Sequence, residues 1–120
     1  MRILLAIILA GCVHHDAATG DDVSCDTLTP AFPTFDKACE SVTDCFVAFH
    51  MVSCCGDRVA IGVNIDDRDR FTTDEDRCEM QYPACGCAEG PTHAEDGNTT
   101  IDDRQIIVQC TAGQCMTAVP

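Results

Sequence analysis

Tryptophan is absent and tyrosine occurs once, at Tyr82, so any core must be built from five Phe and the aliphatic residues. Cations are scarce, with 7 Lys+Arg against 20 Asp+Glu and a net charge of −13. That balance excludes a nucleic-acid binder, which needs clustered cations to meet phosphates. It also argues against an anionic membrane surface as an electrostatic partner. No apolar run approaches the ~20 residues that span a bilayer; the longest, residues 3–10, has eight. Catalytic signatures are thin. Serine occurs only at Ser24, Ser41 and Ser53, none within G-x-S-x-G. What is abundant is cysteine, 11 in 120 residues, which is the density of a disulfide scaffold.

The amino terminus reads M-R-I-L-L-A-I-I-L-A-G-C. Arg2 and the free amine make a short positive region, and the apolar run fits the ~7–15-residue core of a signal peptide. Leu9-Ala10-Gly11-Cys12 resembles the lipobox of bacterial lipoproteins. The resemblance implies that the Cys12 thiol receives a diacylglyceryl group and later palmitate, and that cleavage occurs just before it. The chain would then be held by acyl chains rather than by a transmembrane helix. Val13 stands where that family's inner-membrane retention signal has Asp. This implies the outer membrane rather than the inner one.

Setting Cys12 aside leaves an even set: Cys25, Cys39, Cys45, Cys54, Cys55, Cys78, Cys85, Cys87, Cys110 and Cys115. An even number in an exported domain reads as a full set of disulfides. The pairing is not legible, but local limits apply. Adjacent Cys54 and Cys55, if in a strand, point to opposite faces and take different partners. Each would then tie its strand to a different layer and close a large loop. Cys85 and Cys87 are too close to favour each other. Cys110 and Cys115 bracket the turn residues Thr111-Ala112-Gly113-Gln114. A bridge closing that turn is one reading; the other sends one of the two to the helix or the N-terminal segment.

Three stretches follow. Residues 1–11 are the signal peptide. Residues 12–24, small, polar and acidic after Cys12, form a flexible tether that includes His14 and His15. Residues 25–120 form a single disulfide-rich domain. Pro30 and Pro33 keep residues 27–35 extended or turned, and Phe32 and Phe35 tuck onto the core. Residues 45–53, C-F-V-A-F-H-M-V-S, are apolar on both faces and read as a central strand. A turn at Gly56-Asp57 leads into residues 58–65, where Val59, Ile61, Val63 and Ile65 alternate with Arg58, Ala60, Gly62 and Asn64. Thr72 or Thr73 could open a helix near 73–82 through a capping box. Cys78 and Tyr82 would then face the sheet, and Pro83 would stop the helix. Residues 83–102 read as a loop with a turn at Asp96-Gly97-Asn98. Residues 104–109 and 116–119 return to strand character. The expected fold is α+β, an antiparallel sheet of about four strands in the order β-β-α-β-β with one short helix packed on it.

Metal and catalytic chemistry find little support. Cys85, Cys87 and His93 are spaced irregularly for structural zinc. Asp66, Asp67 and Asp69 begin like a calcium loop, but Phe71 follows where another oxygen ligand is needed. Asp96, Asn98, Asp102 and Asp103 make a second acidic stretch, read as a solvated surface. His50 lies in the apolar strand and reads as a strand residue whose tip is wet or hydrogen-bonded. No cofactor or metal is expected.

Cys39-x₅-Cys45 with Asp44, followed by Cys54-Cys55, is similar to the middle of whey-acidic-protein domains, a family of secreted protease inhibitors. The likeness is confined to residues 39–55 and breaks down where a long strand follows Cys55. A wider likeness is to the small cysteine-rich predicted lipoproteins of myxobacteria. Its elements are Asp44-Cys45, an apolar strand, Cys54-Cys55-Gly56, the strand from Val59 to Asn64, and Cys110-x₄-Cys115 with Gly113. It implies class and location but carries no activity. The expected function is a non-enzymatic binding or structural module, lipid-anchored to the envelope, with the membrane and an unidentified envelope protein as partners. A protease inhibitor presenting a rigid loop over 83–102, cross-linked at its base by Cys85 and Cys87, is the alternative, and a small hydrolase ranks third.

Overall fold

The computed structural model describes Cys25 and residues 32–120. The signal peptide, the lipobox with Cys12, and the tether lie outside the described residues. Two strands, β1 (Cys45–Met51) and β2 (Arg58–Asn64), pair antiparallel with Cys45 opposite Asn64 and Met51 opposite Arg58. Their alternation sorts side chains onto two buried faces. Phe46, Ala48, Ile61 and Val63 pack with Phe71, Phe32 and Phe35 on one side. Val47, Phe49 and Ala60 pack with Ala94, Ile106 and Val119 on the other. The central, two-sided strand expected at 45–53 is therefore present, and Phe32 and Phe35 tuck onto the core. Phe35 meets Phe71 edge to face at 5.2 Å between ring centroids.

The single α-helix of the described residues, α1 (Arg68–Glu79), lies on the first face. It starts earlier than the 73–82 expected from a capping box at Thr72 or Thr73. A 3₁₀ turn at Ile65–Asp67 leads directly into it, capped by the Asn64 side chain, which accepts from the Asp66 N–H at 2.9 Å. Thr72 and Thr73 instead sit inside the helix, and their hydroxyls donate to the Arg68 and Asp69 carbonyls at 3.0 and 2.9 Å. The helix ends at Glu79, so Cys78 is buried within it while Tyr82 lies beyond its end.

The α+β class holds: one helix packs on a four-stranded sheet. The membership of that sheet differs from the expectation. Within the stretch read as loop are β3 (Thr92–His93) and β4 (Thr99–Thr100), joined by a turn at Gly97 with φ 87°. β3 adds to β2 in parallel, and β4 pairs antiparallel with β3. The last two strands, β5 (Ile107–Thr111) and β6 (Gln114–Ala118), make a separate antiparallel hairpin. Its turn residues Ala112 and Gly113 both have positive φ, 52° and 75°, as a tight two-residue hairpin requires.

Candidate functional site: a doubly pinned surface loop

β3 covers only Arg58 and Val59 of β2. Further along, the open edge of β2 faces β6, and the Glu95 carboxylate fills the gap. Its Oε2 accepts from the backbone N–H of Gly62 and of Thr117, both at 2.9 Å. Its Oε1 pairs with Lys37 Nζ. The Thr117 hydroxyl donates to the Ala60 carbonyl at 2.7 Å. The two backbones run so close here that a Cβ on Gly62 would sit 2.5 Å from the Cys115 carbonyl carbon.

Five disulfides tie the elements together: Cys25–Cys78, Cys39–Cys110, Cys45–Cys115, Cys54–Cys85 and Cys55–Cys87. Cys54 and Cys55 do take different partners, although they lie in a turn after β1 rather than in a strand. A Cys110–Cys115 bridge does not form. The two residues face each other across the β5–β6 hairpin, but Cys39 and Cys45 claim their sulfurs. Ten bonded cysteines are the mark of a chain that matures in an oxidising, extracytoplasmic compartment.

The segment leaving α1 is exposed from Pro83 to Glu89 and carries Cys85 and Cys87. From Met80 to Ala88 it has no charged side chain, in a protein that is 22% charged. Glu79 and Glu89 flank it. Two bridges two residues apart fasten it to adjacent positions of the Ser53–Gly56 turn. Its return limb is fixed by the Gly90 N–H donating to the Cys55 carbonyl at 2.9 Å. A Cβ at Gly90 would fall 1.7 Å from Asp57 Oδ1, so any side chain there would displace the Asp57 carboxylate. The Asp57 carboxylate in turn accepts from Ser53 Oγ at 2.7 Å. The tip at Gly86 has open space around it.

Most other chemically active side chains among the described residues are engaged internally. His50 is fully buried and stacks on Phe32 at 3.7 Å. Its Nε2 donates to the Cys25 carbonyl at 3.0 Å, and its Nδ1 lies 2.6 Å from Glu75 Oε2. The remaining Glu75 oxygen accepts from the Met51 N–H at 2.7 Å. Reading His50 as a hydrogen-bonded strand residue was right; its acidic partner, 25 residues away, carried no signal in the sequence. The acidic stretches read as solvated surface are tied into local contacts. Asp67 is held well below the usual carboxylate range by Arg70 and then by the Asp36 N–H. The Asn98 N–H does the same for Asp96, and the Arg104 side chain for Asp102. Asp103 pairs with Arg58 and accepts from Thr92 Oγ1 at 2.5 Å. His93 is exposed on β3, while the Cys85 and Cys87 sulfurs are bonded to Cys54 and Cys55. A small apolar hollow of about 220 Å³ lies between Pro33, Phe35, Lys37 and Ile61. Among the described residues no helix is long and apolar enough to cross a membrane. No protein-family model, characterised protein or solved structure matches this chain.

Proposed function

We propose that this protein is a lipid-anchored envelope module, non-enzymatic, that binds a protein partner through the loop 80–90. One observation carries the reading. An uncharged, exposed segment is held by two disulfides and a backbone hydrogen bond on an otherwise acidic domain. Such a loop loses little conformational freedom on binding, and that pre-organisation is worth affinity. The lipobox at Leu9–Cys12 supplies the anchor, and Val13 favours the outer membrane. Two labels test the two halves. Radiolabelled palmitate is expected in the wild type and absent from Cys12→Ser. A photo-crosslinking residue at Ala84 or Ala88 is expected to trap one discrete envelope protein, while the same residue at exposed Thr73 on α1 traps none. Diffuse or identical products from all three positions would overturn the binding role of the loop.

A protease inhibitor remains the second reading, because a loop cross-linked at its base is what such an inhibitor presents. Stoichiometric, saturable loss of activity across a panel of serine proteases would favour it over a structural module. The hydrolase reading has least support, because both His50 nitrogens and both Glu75 oxygens are spent on internal contacts.

A further inference from the structure

The two bridges at the foot of the C-terminal hairpin lie side by side. The sulfurs of Cys39, Cys45 and Cys115 are all within 4.8 Å of one another, and the fourth, on Cys110, is bonded to Cys39. Cys110 and Cys115 are directly opposed across β5 and β6. Opposed residues in an antiparallel pair have Cα atoms about 4.5–5.5 Å apart, inside the ~4.4–6.8 Å that a disulfide spans. Cys110 and Cys115 are thus within disulfide reach of each other, and the Cys39 and Cys45 sulfurs are neighbours, so the four can be joined in a second way, Cys39–Cys45 with Cys110–Cys115. Access is unequal. Cys115 is fully buried and Cys45 nearly so, while Cys39 and Cys110 are half-buried.

We propose that this double bridge is a thiol-exchange site, entered at Cys39–Cys110 by a small thiolate or by the thiolate of a disulfide isomerase. The incoming thiolate attacks Cys110 Sγ, forms a mixed disulfide there and releases Cys39 as thiolate. Cys39 attacks Cys45 Sγ, which forms Cys39–Cys45 and releases the Cys115 thiolate. Cys115 then attacks Cys110 Sγ, which forms Cys110–Cys115 and expels the original thiolate. Each step makes one S–S bond and breaks one. The thiol is regenerated and nothing is oxidised or reduced overall, so the exchange suits an oxidising compartment.

The two forms differ in one property. In the first, the hairpin is locked to Cys39 and to the start of β1 by bridges spanning 71 and 70 residues. In the second, both bridges are local. The hairpin is then held by non-covalent contacts alone, among them Glu95, the Thr117 hydroxyl on the Ala60 carbonyl, and backbone bonds such as Cys115 N–H to the Lys37 carbonyl at 2.7 Å and Cys39 N–H to the Gly113 carbonyl at 3.0 Å. A covalent lock thus becomes a releasable contact.

Non-reducing peptide mapping tests this on the intact domain. The folded protein is incubated with catalytic 2-mercaptoethanol, blocked with N-ethylmaleimide and digested with trypsin in urea. Cleavage after Lys37, Arg58 and Arg104 gives peptides 38–58 and 105–120. The expected result is release of 105–120 as a free peptide, two hydrogens lighter than its reduced form, whatever exchange the more exposed Cys54 and Cys55 bridges undergo. Retention of 105–120 on 38–58 throughout, or its release only after all five bridges have scrambled, would overturn the proposal. Cys110→Ser gives a second, independent readout. Its free thiol is expected to migrate from Cys39 to Cys115, so that the label appears on 105–120. A label that stays on Cys39, with Cys45–Cys115 intact, argues against the relay. Should that variant not fold, the wild-type exchange still decides.

Discussion

His50 Nδ1 and Glu75 Oε2 lie 2.6 Å apart between β1 and α1, with no exposed surface on the imidazole. Nε2 meets a carbonyl, which only accepts, so it carries a hydrogen. The other ring nitrogen, Nδ1, faces the Glu75 carboxylate, whose second oxygen accepts from the Met51 N–H at 2.7 Å. Glu75→Ala would leave the imidazole and the Met51 N–H without a partner. Removing one member of a buried pair costs about 3–5 kcal/mol. We expect Glu75→Ala to lose stability on that scale in urea unfolding, and His50→Leu/Glu75→Leu to lose less than the sum of the two single changes. Additivity would show that the contact is not energetically coupled.

Gly62 and Gly86 make a matched comparison. The first approaches the Cys115 backbone so closely that a methyl would have to push β2 and β6 apart. The second has nothing within 4 Å. Gly62→Ala is expected to cost at least the ~1–3 kcal/mol of an overpacked core and to lower the thermal midpoint markedly. Gly86→Ala should stay within about 0.5 kcal/mol of the wild type. Equal melting curves would refute the close approach.

Much of the β1–β2 hairpin was legible because seven-residue strands give alternation room to show. The even cysteine set and the Ala112-Gly113 turn were legible for local reasons too, one of counting and one of backbone conformation. β3 and β4 were not, since two residues carry no period; they are strands only because the edge of β2 and Asp103 hold them. Helix α1 was misplaced because a capping box was sought among threonines, while Asn64 and a 3₁₀ turn do that work upstream. Nothing local marks Glu75 or Glu95, and the fold spends both on backbone N–H groups far away in the chain. The pinned loop was half visible: Cys85 and Cys87 suggested a cross-linked base, but their partners depended on long-range topology.

Loop length reverses one expectation about the bridges. Cys54 and Cys55 were expected to close large loops, yet they span 31 and 32 residues. Cys39–Cys110 and Cys45–Cys115 span 71 and 70. In the chain-entropy account longer closures stabilise more, though slowly, by less than about 1 kcal/mol over this range. Burial adds to the difference. Replacing Cys45 and Cys115 by Ala is expected to lower the thermal midpoint further than replacing Cys54 and Cys85. Circular dichroism melts read the order, and the opposite ranking would contradict it.

Reduction should follow exposure. Limited treatment with a phosphine followed by alkylation is expected to label Cys54, Cys55, Cys85 and Cys87 first, and Cys25 and Cys78 last, since Cys85 and Cys87 are exposed and Cys78 is fully buried. Uniform labelling at every time point would show that opening is global.

Acid should weaken the fold from a definite side. Asp44 is held below the usual carboxylate range by the backbone N–H groups of Ser41 and Glu40, as Asp67, Asp96 and Asp102 are by their own partners. In the unfolded chain these groups titrate near pH ~3.9. The folded values are lower, so the unfolded state binds more protons across that window. Their contribution is complete above about pH 4 and is lost as pH falls through the folded values. The urea midpoint should decline in that range, and less steeply for Asp44→Asn. A slope unchanged by that substitution would remove Asp44 from the set.

Cys25 is joined to Cys78 by a disulfide, and its carbonyl accepts from His50. Any pull arriving along the chain at Cys25 therefore passes covalently into the middle of the structure. It reaches α1 without first peeling the segment around Phe32 and Phe35 from the core. A load entering at Cys25 is passed to the helix and, through Glu75, to β1. The bridge shields the chain between Cys25 and Cys78 from that load, and the packing of α1 on β1 carries it instead.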